Sequence, residues 1–234
     1  KKYKIDYFFY FGKKSLKIIK ENFLANFLNI GSFKNNNEDV LKNKKKNKDV
    51  VLISCFKKRN YNEGPASVNI QLKLNNLYEK RMLKILSQKL IKNSKFKVIL
   101  KPNVLKKDYL EFMNCSKNIP ISNNGNAAYK AIDTSNVVIT LIQSAMRDEA
   151  LSRGAKHLLI SREEKNYTNN FYEFKQKVNY DNIKKFINYY SKISKKSFFN
   201  ICKKNKLEIM PYDNDNLIFK KTLTNELLNL NKNI

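Results

Sequence analysis

Apolar and polar positions change rhythm along this chain, and each change marks an element. At 50–55 the sequence VVLISC is a continuous apolar run. Strands of a parallel sheet read this way, because helices cover both of their faces. Residues 137–141 (VVITL) have the same character. Residues 96–100, stopped by Pro102, and 157–160 are further strands. Between strands the period becomes helical. Leu74, Leu77, Tyr78, Met82, Ile85 and Leu86 recur on one face and predict a long helix over 69–91. Shorter helices are predicted over 109–113, 127–132 and 145–152, the last leading through Gly154 as a C-cap. The tail is mostly helical, most clearly at 183–193 and 217–230.

The chain opens with a strand-helix-strand pattern. Residues 5–11 read as a strand and 13–23 as a helix with Leu16, Ile19 and Phe23 on one face. Residues 27–30 read as a second strand ending in Gly31 and Ser32. The segment FKNNNEDVLKNKKKNK that follows is polar and highly charged, and is expected to be an exposed linker over 34–48. Residues 60–67, with Gly64 and Pro65, and Asn123-Asn124-Gly125 are loops. Strands then alternate with helices from 50 to 160. That order predicts an α/β fold, a parallel sheet flanked by helices on both faces.

Composition narrows the classes. The chain has 234 residues, 42% of them hydrophobic, enough for a substantial core. No apolar run approaches the roughly 18 residues of a membrane-spanning helix. The opening KKYKIDYFFYFGKK superficially resembles a signal peptide. Asp6 and the aromatics interrupt it, and no small-residue cleavage site follows, so it reads as a buried strand. A cytoplasmic protein is expected. The net charge of +27 is carried almost wholly by scattered Lys, with no Arg clustering, and reads first as solvated surface. The functional alternatives are a field that draws anionic ligands, or peripheral contact with an anionic membrane at its inner face. A charge-driven nucleic-acid-binding protein is a separate class. It would bind with a steep salt dependence and without regard to Glu149; scattered Lys argues against a specific nucleic-acid partner.

Other candidate groups read as structural. Cys55, Cys115 and Cys202 are far apart, form no CxxC or metal-ligand spacing, and read as reduced core thiols. His157, the only histidine, argues against a Ser-His-Asp triad or a histidine metal centre. Asp213 and Asp215 lie among Asn and read as a turn and helix cap rather than a metal site. Tyr189, Tyr190, Phe198 and Phe199 read as core aromatics.

The most informative segment is NVVITLIQSAMRDEALSRGAKHLLIS. In open parallel sheets, ligands bind at the carboxyl ends of strands, where helices begin. Ser144 stands just before a helix and can cap it. The backbone N–H groups of Ala145 and Met146, at the positive end of the helix dipole, are then left free for a phosphate. Glu149 lies within reach of a ribose whose phosphate sits on that turn. Equally, Ser144 is an ordinary N-cap, and Asp148 and Glu149 merely complement the dipole. Lys57, Lys58 and Arg59 follow the strand that begins at Val50. They either neutralise a diphosphate leaving group or are simply solvated.

This segment, read as Gln143-Ser144, Glu149-Ala150-Leu151 and Arg153-Gly154, resembles the nucleotide-binding segment of GT-B-fold glycosyltransferases, whose two α/β domains face each other. More closely, the chain resembles bacterial surface carbohydrate biosynthesis proteins of that fold. The likeness includes Asp6-Tyr7-Phe8, Phe11-Gly12 and Ile30-Gly31-Ser32-Phe33 with Asn35. It continues through Leu52-Ile53-Ser54, Tyr129, Asp133 and Val137-Val138-Ile139-Thr140, and ends at Tyr212-Asp213-Asn214-Asp215-Asn216 with Phe219. The chain departs from the pattern at Ala145, often a hydroxyl residue, at Arg147, usually small, and at Lys101-Pro102-Asn103, where some relatives carry His. The resemblance implies a GT-B-like, Rossmann-type fold. Residues 1–33 would be the last unit of a truncated N-terminal domain, and 49–234 a nucleotide-sugar-binding domain with C-terminal helices. It implies a nucleotide-sugar donor bound by Ser144, Ala145, Met146, Glu149, Lys58 and Arg59, a glycan or lipid-linked acceptor, and no metal or other cofactor. The family's usual catalytic base and acceptor site belong to the part of the first domain that this sequence lacks, so no catalytic residue is assigned. A non-catalytic nucleotide-sugar-binding fragment is the rival implication.

Overall fold

A computed structural model describes residues 2–11, 13–41, 49–58, 65–87, 95–114, 119–123, 127–141, 145–160, 183–204 and 209–232. In chain order the elements are β1 (Tyr3–Tyr10), α1 (Lys13–Asn22), β2 (Phe23–Asn29), α2 (Phe33–Asn36), β3 (Val50–Ile53), α3 (Ala66–Ser87), β4 (Phe96–Ile99), α4 (Lys106–Met113), β5 (Ile121–Ser122), α5 (Ala127–Thr134), β6 (Val137–Leu141), α6 (Ala145–Ser152), β7 (His157–Ile160), α7 (Ile183–Lys192), α8 (Lys195–Lys204), a 3-10 turn (Asn214–Asn216) and α9 (Leu217–Lys232). They form two compact units, Leu41–Leu207 in one and Lys1–Val40 with Glu208–Ile234 in the other. The family resemblance implies that the C-terminal helices belong to the larger domain. The structure instead joins α9 to the N-terminal strands, because Phe219 packs edge-on against both Phe9 and Phe33 at 4.8 Å.

The larger unit is a mixed α/β domain whose five parallel strands run in the order β5-β4-β3-β6-β7. Every residue of β3 and β6 is buried. Val50, Leu52, Val137 and Ile139 face Met82 and Leu83 of α3, Ile183 and Ile187 of α7, and Phe198 of α8. Val51, Ile53 and Val138 face Tyr129 and Ile132 of α5 and Ala150 of α6. Two apolar faces explain why these strands read as unbroken apolar runs. Each fully buried aliphatic side chain contributes about 1.5–3 kcal/mol. No helix among the described residues is long and apolar enough to cross a membrane.

In the smaller unit β1 and β2 pair in parallel, with Tyr3 opposite Phe23 and Tyr10 opposite Asn29. The expected linker at 34–48 begins differently. Asn35 and Asn36 are fully buried. Asn36 Nδ2 donates to the Ile30 carbonyl at 2.7 Å and to Asn216 Oδ1 at 2.9 Å, and its Oδ1 accepts from the Asp213 N–H. A polar residue goes inside when it satisfies backbone groups that would otherwise be orphaned. Residues 42–48 of that segment lie outside the described residues.

Candidate functional site

The chain enters the large sheet at β3, builds outward through β4 and β5, then returns to the other side of β3 with β6 and β7. The carboxyl ends of β3 and β6 therefore flank the point where the order reverses, the position at which open parallel sheets bind ligands. Two described segments border it: the loop after β3, and the start of α6.

The loop after β3 is held from below by α3. Glu79, fully buried, accepts from Ser54 Oγ at 2.5 Å, from the Cys55 N–H at 2.9 Å and from Tyr109 OH at 2.8 Å. The Cys55 thiol lies 3.2 Å from its Oε2. Burial raises the Glu79 carboxyl above its ordinary pKa, although these donors oppose the rise. Burial and then Glu79 itself push the Cys55 thiol up, so it stays protonated and unreactive at neutral pH. One turn earlier, Asn76 clasps the next part of the loop. Its Oδ1 accepts from the Lys57 N–H at 3.4 Å and its Nδ2 donates to the Lys57 carbonyl at 3.0 Å. Positions 76 and 79 share a helix face, so one face of α3 fixes the loop from Ser54 to Lys57.

On the other side, Glu149 is buried in α6 and accepts from Tyr129 OH at 3.0 Å. The Tyr129 ring lies under the Arg153 guanidinium, 5.1 Å from its centroid. Arg153 in turn donates to both oxygens of Asp133, at 2.8 and 2.6 Å. This network packs α5 against α6 and sets the direction of Glu149. Met146 packs on the core beneath α6. Arg147, buried, donates from Nε to Asp148 at 2.6 Å. His157, fully buried, lies 2.9 Å from Thr140 Oγ1, and burial first, then Arg147, lowers its pKa to about 3. It is a neutral core residue.

Of the site residues expected from sequence, Ser144 and Arg59 lie outside the described residues. Ala145 opens α6 as expected, and Met146 and Glu149 follow on it. Lys58 is exposed and engaged with Asp108 at 2.8 Å. Sequence reasoning missed Glu79 and Asn76. Both sit inside a helix whose apolar stripe was legible, and an acid or amide there looks like solvent-facing surface. Cys115 is outside the described residues, Cys202 is a buried core thiol, the half-buried Cys55 packs against the same core, and Tyr189 is exposed while Tyr190 and Phe198 are buried. Asp213 does cap a helix: its Oδ2 accepts from the Ile218 N–H at 2.9 Å.

Over residues 1–227 the chain matches the protein family described as "putative O-antigen biosynthesis protein". The chain belongs to this family. No curated protein and no solved structure matches it. Membership in the O-antigen biosynthesis family places the chain in surface polysaccharide biosynthesis, the coarser part of what the sequence resemblance implied. The family description names no reaction and no ligand.

Proposed function

We propose that this O-antigen biosynthesis protein is glycosyltransferase-like: it binds a nucleotide-activated sugar at the carboxyl edge between β3 and β6 and passes the sugar to a glycan or lipid-linked acceptor. The observation that carries the reading is the position of Glu149, held by Tyr129 on the helix that follows β6, beside the reversal of strand order. The diphosphate would lie on the N–H groups of Ala145 and Met146 after Ser144, where the helix dipole is positive. The ribose would lie along α6, with Glu149 accepting from its hydroxyls. Lys58, on the loop after β3, and Arg59, next to it in sequence, would neutralise the leaving diphosphate. No residue of the chain is assigned as the base, and a nucleotide-sugar-binding role without transfer uses the same contacts.

The test is calorimetric titration of UDP, CDP and GDP into the chain and into Glu149→Gln, with melting curves of both. Charge-assisted hydrogen bonds to a carboxylate are worth about 1.5–3 kcal/mol. The variant should therefore bind its nucleotide about tenfold more weakly or worse. Unchanged affinity with a lowered melting temperature would reduce Glu149 to a structural partner of Tyr129. Absence of any nucleotide binding by the unmodified chain would count against the reading itself.

A further inference from the structure

Lys57 and Lys101 stand at the ends of adjacent strands. Ile53 of β3 is opposite Ile99 of β4, and the Ser54 N–H still donates to the Ile99 carbonyl at 2.9 Å. Lys101 follows β4 by two residues and Lys57 follows β3 by four. Both backbones are fixed. Asn76 clasps Lys57 on its N–H and its carbonyl, and the Lys101 carbonyl accepts from the Val104 N–H at 3.0 Å in the turn through Pro102. Neither ammonium forms an ion pair with a described residue, whereas the neighbouring Lys58 pairs with Asp108. The acid beneath them, Glu79, is engaged with Ser54, Cys55 and Tyr109.

Unpaired lysines are common on a chain of net charge +27, so lack of a partner alone decides nothing. What sets these two apart is their placement at the ends of paired strands and the anchoring of their backbones, Lys57 by the buried Asn76 side chain and Lys101 by the Val104 N–H. We infer that Lys57 and Lys101 form an anion site for a phosphate or diphosphate group at the carboxyl ends of β3 and β4. Partial desolvation, and then the Lys57 charge, lower the pKa of Lys101, and Cys55 and Glu79 oppose the shift without reversing it. An incoming dianion relieves that repulsion, and two ammoniums on separate strand ends straddle it. The site stands on these lysines and does not depend on the nucleotide reading, since it needs neither Ser144 nor Glu149.

The probe is inorganic pyrophosphate, titrated by calorimetry into the full chain and into Lys57→Gln, Lys101→Gln and, as a control on an exposed lysine of α7, Lys184→Gln. None of the three side chains belongs to the hydrophobic core, so folding should survive, and melting curves verify this. Loss of either member of the pair should weaken pyrophosphate binding about tenfold, the scale of one charge-assisted contact. Lys184→Gln should change it less than about twofold, as for an exposed, screened cation on another element. An equal loss in all three variants means a diffuse cationic field and overturns the site, as does an unmodified chain that binds no pyrophosphate. A diphosphate arrives either on a nucleotide or on a lipid. UDP in solution, and phosphatidylcholine vesicles with and without farnesyl diphosphate, distinguish these sources, and the Lys101→Gln loss should appear in whichever arm binds. Glu149→Gln should leave pyrophosphate binding unchanged, so failure of the nucleotide reading and failure of this site produce different patterns.

Discussion

Arg153 and Asp133 are enclosed together, with side-chain exposures of 0% and 1%. A buried ion pair of this kind is weak evidence of net stabilisation, because desolvation offsets the attraction, but removing one partner leaves the other charge stranded. Asp133→Ala should therefore cost about 3–5 kcal/mol, read from the urea midpoint at unchanged slope. It also removes the acceptor of the Leu41 N–H. Tyr129→Phe is gentler. It keeps the ring under Arg153 and removes only the hydroxyl that Glu149 accepts, which should cost about 1–3 kcal/mol. If Tyr129 aims Glu149 at a ribose, the same variant weakens nucleotide binding in calorimetry while pyrophosphate binding stays unchanged. Tyr129, Asp133 and Glu149 were each legible as marked positions in the sequence. Their connection was not, because residues 129 and 149 meet only once α5 and α6 pack on the same face of the sheet.

At the level of elements, the strands read best. β6 and β7 have the boundaries expected from sequence, and β3 and β4 end within two residues of them. Burial on both faces leaves a local apolar signature that needs no partner to be seen. β2 was misplaced: Phe23 looked like the last apolar position of a helix, yet it begins the strand opposite Tyr3, with its ring 5.2 Å from Phe8. The two-residue β5 carried no pattern long enough to detect. Turns separate in the same way. Gly31 and Gly154 both have positive φ, +68° and +74°. A Cβ at Gly31 would lie 2.2 Å from the Pro211 carbonyl oxygen, whereas at Gly154 it would meet only Lys195 Nζ at 3.5 Å. Gly154→Ala should thus cost only the left-handed strain of about 1–2 kcal/mol. Gly31→Ala should cost clearly more, since backbone must move. Thermal melts of the two variants side by side check the order; equal losses would mean that the contact with Pro211 is readily relieved.

For the whole molecule, two buried groups tilt stability in opposite directions with pH. The His157 pKa is lowered from 6.5 to about 3 in the folded chain. The unfolded chain therefore gains a proton first on acidification, and the contribution of His157 is full above pH 6.5 and lost as pH falls toward 3. Glu79 is raised above its ordinary 4.5. Its contribution is full below that value and is lost as pH rises through the folded pKa. His157→Gln should flatten the loss of stability between pH 6.5 and 4, by up to about 1.4 kcal/mol per pH unit. Glu79→Gln should make stability rise more with pH over the window above 4.5. Chemical denaturation across pH 4–7 measures both, and parallel pH curves for His157→Gln and the unmodified chain would refute the first. The sequence by itself determined the alternation of strand and helix, the fully buried central strands and the start of α6, because these follow from local patterns of apolar and polar positions. Only the tertiary structure decided that α9 joins the N-terminal strands, that Asn36 and Glu79 go inside, and that Lys57 and Lys101 share one sheet edge. Those outcomes depend on which distant groups satisfy a buried hydrogen bond or leave a charge unpaired. Such partners are chosen by packing between segments far apart in the chain, and residue order alone does not name them.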